Sequence, residues 1–182
     1  AVKMPRALTH GARLRHTEGL ATFLEEVDGL GDQLGPLLLQ LPPSLTLEPE
    51  HVDAFLSALR KRYAGPVVCE PRHSSWFTAA GDDLLARHAV ARVVADPPVT
   101  VEGAVPGGDT RLRYYRYHGS PERFRSSYSD EFLRDQAAAL AEAGSETWCI
   151  FNNTATTAGL NNALTLQRYL GEHGAGATGP EE

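Results

Sequence analysis

The chain is short of the residues that usually build metal and redox centres. Among its 182 residues are two cysteines, Cys69 and Cys149, and one methionine, Met4. Both cysteines sit in apolar, strand-like runs and belong to no C-x-x-C motif. No two histidines stand at H-x-x-x-H spacing. These absences remove the paired-ligand signals of zinc and dithiol sites. The thiols read as free, in a reducing, cytoplasmic setting. No apolar run reaches the length of a membrane span, and no signal peptide is visible. Positive charge is also scarce. Asp and Glu number 23 against 17 Lys and Arg, for a formal net charge of -6. That balance argues against broad electrostatic binding to nucleic acid or to an anionic membrane.

What is present is an alternation. Short apolar runs at 1–4, 37–41, 67–70, 92–96, 112–118 and 147–152 are separated by stretches of helical spacing. Leu20, Phe23, Leu24 and Val27 make one apolar stripe, with Gly31 as a stop. Val52, Phe55, Leu56 and Leu59 make a second, with Pro49 placed for its first turn. A shorter helix is expected over 82–88. Ser129 caps a helix reaching to about Ala143, whose first turn holds Asp130 and Glu131. A last helix is expected from about Gly159 to Leu170. The chain from 172 to 182 reads as a flexible tail, leaving 1–171 as a single domain.

Strand–helix alternation implies a parallel α/β sheet. The open, doubly wound form usually carries a glycine-rich turn after its first strand. Here the first strand runs into Lys3-Met4-Pro5-Arg6, and Gly107-Gly108 reads as a turn before a later strand.

Splitting each strand by side-chain parity favours a barrel. One face collects Val2 and Met4; Leu37, Leu39 and Leu41; Val67 and Cys69; Val93 and Ala95; Tyr115 and Tyr117; Cys149 and Phe151. That face suits a layer of helices. The other collects Lys3, Gln40, Glu70, Arg72, Asp96, Arg116, His118 and Asn152, all at or just past strand ends. In a TIM barrel such positions build the active site. The expected fold is therefore α/β, a TIM-type (β/α) barrel with six βα units present. A closed barrel usually takes about 250 residues, so its first two units are expected to precede Ala1.

Several runs resemble the YecE-like family, domain of unknown function 72. They are Val2-Lys3-Met4-Pro5-Arg6 with Thr9-His10; Leu34-Gly35-Pro36 into Leu39-Gln40-Leu41-Pro42; and Glu70-Pro71-Arg72-His73 with Ser75-Trp76-Phe77. Tyr115-Arg116-Tyr117-His118-Gly119 and Phe151-Asn152-Asn153 with Asn162-Ala163 complete the set. The resemblance extends to about Leu170 and implies a TIM-like barrel without an agreed activity. The family's usual opening, a Gly-Trp-Tyr type segment and an aromatic strand containing Glu-Asn, has no counterpart here.

The candidate catalytic residues are Glu70, His118 and Asp96. Glu70 and Arg72 are two apart and share a face; they form either a buried structural pair or a general acid/base beside an anion clamp. Arg116 and His118 repeat the spacing, and histidine is the side chain whose unperturbed pKa lies nearest neutrality. Asp96 either orients His118 or Arg116, or starts the turn at Pro97-Pro98. Lys3, Gln40, Arg72, Arg116, Asn152 and Trp76 are the candidate substrate-binding residues. Trp76 either stacks on a ring or plugs the loop from beneath. Of the remaining histidines, only His10 follows a strand closely enough to join them. Glu70, Asp96 and His118 form a mixed O/N set, but no ligand spacing joins them, and no metal is expected. The cofactor is left open.

Lys3, Arg72 and Arg116 outweigh Glu70 and Asp96 by one positive charge, within an acidic chain. A small anionic ligand, phosphorylated or sugar-like, is the expected partner. An enzyme follows, with a hydrolase as the default and an isomerase or lyase next. The alternatives are a nucleic-acid binding or repair protein and a non-catalytic ligand-binding module.

Overall fold

The computed structural model describes residues 1–176. Its strands are β1 (Val2–Lys3), β2 (Leu37–Gln40), β3 (Val67–Glu70), β4 (Val90–Arg92), β5 (Val94–Asp96), β6 (Gly107–Gly108), β7 (Leu112–Tyr117) and β8 (Glu146–Phe151). Its helices are α1 (Leu20–Asp28), α2 (Pro49–Arg60), α3 (Ala79–Arg87), α4 (Asp130–Ala141) and α5 (Ala158–Gly176). The chain divides into two compact units, Ala1–Val94 with Pro98–Tyr114, and Ala95–Pro97 with the chain from Tyr115.

In the first unit β1 to β4 pair in order, all parallel, and β6 adds an antiparallel edge to β4. Leu37, Leu39, Val67, Cys69 and Val90 lie in one core with Phe23 and Val27 of α1, Val52, Phe55 and Leu59 of α2, and Leu85 of α3. This is the helix-side face that parity assigns to the first three strands. Each such buried aliphatic or aromatic side chain contributes about 1.5–3 kcal/mol. Pro49 occupies the first turn of α2, where its missing N–H costs nothing. Helix α3 starts earlier than the expected Asp82 because the Thr78 hydroxyl accepts from Gly81 N at 3.1 Å.

The fourth strand departs from the expected parity. Register sets Cys69 beside Arg92 and Val68 beside Ala91. Arg92, not Val93, therefore takes the helix-facing side, and the run breaks at Val93 into β4 and β5. The cause is a partner on α3. Arg92 is buried, and its Nε donates to Asp82 Oδ1 at 2.7 Å. Nη2 donates to Asp82 Oδ2 and to the Glu102 carbonyl, both at 3.2 Å, and the guanidinium lies 5.0 Å from the centre of the Phe77 ring. The turn expected at Gly107-Gly108 is instead the short edge strand β6. A Cβ at Gly107 would fall on the Asp82 carboxylate and the Arg92 guanidinium, so only glycine can run there.

In the second unit the sheet order is β5-β7-β8. The strands bond at their C-terminal ends: His118 N donates to Asp96 O at 2.8 Å and Asn152 N to Tyr117 O at 2.7 Å. Tyr117 and Tyr128 pack with Leu133, Ala137 and Leu140 of α4 and Leu166 and Tyr169 of α5. Ser129 caps α4 as expected, its hydroxyl accepting from Phe132 N at 3.2 Å. Helix α5 continues past Leu170 to Gly176, so the first part of the expected tail is helical; residues 177–182 lie outside the described residues. Among the described residues no helix is long and apolar enough to cross a membrane. The architecture is mixed α/β with parallel sheets.

Candidate functional site

Register gathers three of the candidate residues of the first unit on one face. Lys3 pairs with Leu38, and Gln40 with Glu70. Neighbours across a parallel ladder project to the same side, and Leu38 and Gln40 are two apart, so Lys3, Gln40 and Glu70 share the face opposite the helix-side core. Glu70 is only 2% exposed. A carboxylate that deep needs a charged partner. Arg72 supplies one, its Nε and Nη2 both donating to Glu70 Oε1, at 3.0 and 2.9 Å. Both bonds fall on a single oxygen, and the Arg72 side chain stays partly open to solvent.

The turn after β1 adds the cation Arg6 and the histidine His10. His10 is half-buried, and its pKa is held below the usual histidine value, first by burial and then by the positive charges of Arg6, Lys3 and Arg72. The Thr9 hydroxyl lies 2.9 Å from His10 Nδ1 and 3.3 Å from Pro5 O, and so holds the ring by that nitrogen.

Trp76 takes the second of its two expected roles. It is wholly buried, and its Nε1 donates to Leu45 O at 2.9 Å. A ring enclosed in this way offers no face for stacking on a ligand, so Trp76 is a core residue. His73 is taken up by its own loop, accepting from Ser75 N at 3.2 Å.

In the second unit His118 is buried at the end of β7. Arg116 and His118 both reach the Asn152 amide. With the oxygen turned toward them, as the purely donating guanidinium demands, Asn152 accepts from Arg116 Nε at 3.2 Å, from Arg116 Nη2, and from His118 Nδ1 at 3.3 Å. Asn152 thus orients both side chains, meeting His118 through Nδ1. The Phe124 ring lies edge-on to His118, with centroids 5.8 Å apart.

The Asp96 carboxylate has a different partner from either expected one. Tyr128 donates to its Oδ2 at 2.6 Å, and the same phenol oxygen accepts from Gly119 N at 2.9 Å. Burial and the bond to Asp96 push the Tyr128 pKa well up, keeping the phenol a donor. Gly119 has a φ of +91°, and a Cβ there would crowd Ser126 O and Asn153. Asp96 and Tyr128 therefore brace the backbone that carries His118. Asn153 and Asn162 hold the far side of this loop, Asn153 Nδ2 donating to Ser126 O at 2.9 Å and to Asn162 Oδ1 at 2.8 Å.

Among the described residues no three His, Cys, Asp or Glu side chains cluster as metal ligands. Sequence reasoning missed Tyr128, Arg6 and Arg92. Tyr128 lies 32 residues from Asp96, and nothing local pairs them. Arg6 was legible as a cation one turn from Lys3. Arg92 gave no signal inside an apolar run.

The chain matches a family model described as protein of unknown function DUF72 over residues 1–182. A DUF72 family protein of Thermotoga maritima MSB8 is similar at 27% identity and a TM-score of 0.77, covering 93% of this chain and 72% of that one. A DUF72 family protein of Enterococcus faecalis V583 shares the fold at 23% identity and a TM-score of 0.70, covering 85% of this chain and 66% of that one. No curated protein matches.

Proposed function

The chain belongs to the DUF72 family, and from that premise we propose that it is an enzyme acting on a small anionic substrate. The observation that carries this reading is the face shared by Lys3, Gln40 and Glu70, on which Arg72 pairs with the buried Glu70 carboxylate and stays partly open to solvent. Cations gathered on one concave face focus a positive field that favours an anionic ligand. In this reading Lys3 and Arg72 hold the anion, Gln40 orients it, and Glu70 moves a proton. In the second unit His118 is the proton-transfer group, Arg116 and Asn152 bind and orient, and Asp96 positions through Tyr128. Hydrolysis is the reaction class, with isomerisation or elimination next. The finer fold reading, a TIM-type barrel, rests on sequence parity and on family membership. A cytoplasmic setting accords with the two free thiols.

Titration calorimetry with inorganic phosphate at low salt, followed by turnover assays on phosphomonoesters, glycosides and sugar phosphates, tests the proposal. Removing a charge-assisted contact costs about 1.5–3 kcal/mol, so Arg72→Met should weaken phosphate at least about tenfold. Glu70→Gln and His118→Asn should abolish turnover with little loss of binding. Affinity without turnover on any substrate would make the chain a non-catalytic binding module. Tight, steeply salt-dependent binding to DNA in place of phosphate would make it a nucleic-acid binder.

A further inference from the structure

We propose that the second unit carries a binding site for a neutral sugar, in the cavity that Asp96 and three serines line beside Tyr128 and Phe132. The anion proposed above lies in the first unit, so either site can fail without the other.

The cavity measures about 340 Å³, within the span of small-molecule sites, about 300–1,000 Å³. Its walls are Asp96, Ser120, Ser127, Tyr128, Ser129 and Phe132. One set of contacts ties them together. Tyr128 donates to Asp96 Oδ2 at 2.6 Å and accepts at 2.9 Å from the N–H of Gly119, the residue before Ser120. The Phe132 ring stacks on that of Tyr128, with centroids 4.6 Å apart and planes 19° from parallel. Ser129 Oγ accepts from Phe132 N at 3.2 Å, and Ser127 Oγ accepts from Asn162 Nδ2 at 3.0 Å. The walls are thus held in place before anything binds.

The lining selects the ligand. A carboxylate only accepts, and Asp96 Oδ1 accepts from none of the described residues, so the ligand must bring a donor. The Ser129 oxygen is engaged by the Phe132 N–H, which leaves its own proton to donate, so the ligand must also accept. Anions are disfavoured by charge. Among the described residues lining the cavity there is no Lys, Arg or His, and Asp130 and Glu131 follow Ser129 in the first turn of α4. Ammonium and guanidinium groups fail the second requirement, because they only donate. A hydroxyl meets both. The exposed Ser120 adds a further donor and acceptor, and the half-buried Phe132 ring adds an apolar wall. Several hydroxyls beside a C–H face is the chemistry of a sugar ring.

NMR of amide signals in the full chain, titrated with glucose, galactose, mannose, xylose and ribose, tests this in the native protein. At least one sugar should bind saturably, with a Kd on the order of 1 mM for a ligand of that size, and should move the signals of Asp96, Ser120 and residues 127–132. Tetrahydropyran, the ring without its hydroxyls, should leave them in place. Asp96→Asn should weaken the sugar at least about tenfold, and Ser120→Ala about threefold to tenfold, each by loss of one hydrogen bond. Ser120→Ala leaves every bond described above intact, so it reads the site even if Asp96→Asn fails to fold. No saturable binding of any of the five sugars, or shifts confined to other residues, would overturn the inference. So would unchanged affinity in Ser120→Ala, or binding of tetrahydropyran, acetamide or ethylammonium there as tightly as the sugars. None of these results touches the anion of the first unit, which phosphate calorimetry with Arg72→Met reads separately.

Discussion

The buried ion pair of the first unit gives a prediction with an unusual asymmetry. Arg92 and Asp82 share one bond pair, but their surroundings differ: the Arg92 side chain is 2% exposed and that of Asp82 is 32%. Removing the carboxylate strands a guanidinium inside the protein. Removing the guanidinium leaves a carboxylate that water can reach. Stranding a buried charge costs about 3–5 kcal/mol. Asp82→Ala should approach that range, because among the described residues the Glu102 carbonyl and the Phe77 ring are what remain against Arg92. Arg92→Met keeps the bulk over Phe77 and forfeits mainly the net value of the pair, about 1–2 kcal/mol. The double variant Asp82→Ala/Arg92→Met should then be more stable than Asp82→Ala alone. In urea, with an m-value of about 2 kcal/mol/M, Asp82→Ala moves the unfolding midpoint by roughly 2 M, and Arg92→Met by about a quarter to a half of that. If Arg92→Met proved the costlier change, or the double variant fell below Asp82→Ala, burial would not be what sets the cost.

Three other outcomes follow from the same structure. Tyr128→Phe removes the link between the Asp96 carboxylate and Gly119 N, and should cost about 1.5–3 kcal/mol in chemical denaturation with no loss of helix by circular dichroism. His10 has its pKa lowered in the folded chain, so the unfolded chain binds more protons below pH 6.5; stability should fall as pH drops from 6.5 through the folded pKa, and His10→Gln should flatten that part of the urea-midpoint profile. Burial pushes the Cys149 thiol up to about 11, so at pH 8 on the order of one molecule in a thousand carries the thiolate, and alkylation by iodoacetamide should be far slower than for a free thiol.

Legibility in the sequence tracks how local the determining contact is. Ser129 at the start of α4 and Pro49 at the start of α2 were readable because a cap and a first-turn proline act within one turn of chain. The helix-side face of β2 and β3 was readable because strand parity is local. The fourth strand was not: Arg92 faces the helices only because Asp82, ten residues away on α3, receives it. A run of apolar residues does not show where a chain leaves one sheet for another. The same limit applies to the site. Lys3, Gln40, Glu70 and Arg72 could be grouped from parity, and Arg116 and His118 from their spacing. The Asn152 amide that joins the last two, and the Tyr128 phenol that claims Asp96, reach them across more than thirty residues. Trp76 was ambiguous because an aromatic after a strand serves equally well as a plug or a platform, and only the Leu45 carbonyl beneath it decides.

The central claim is that the first unit holds an anion between Arg72 and Lys3. Soaking crystals of the full chain in tungstate, a heavy dianion, and locating it by anomalous scattering tests this directly. The account predicts a peak within hydrogen-bonding reach of the Arg72 guanidinium and the Lys3 ammonium. Tungstate bound only elsewhere, with no peak at those residues, would contradict it.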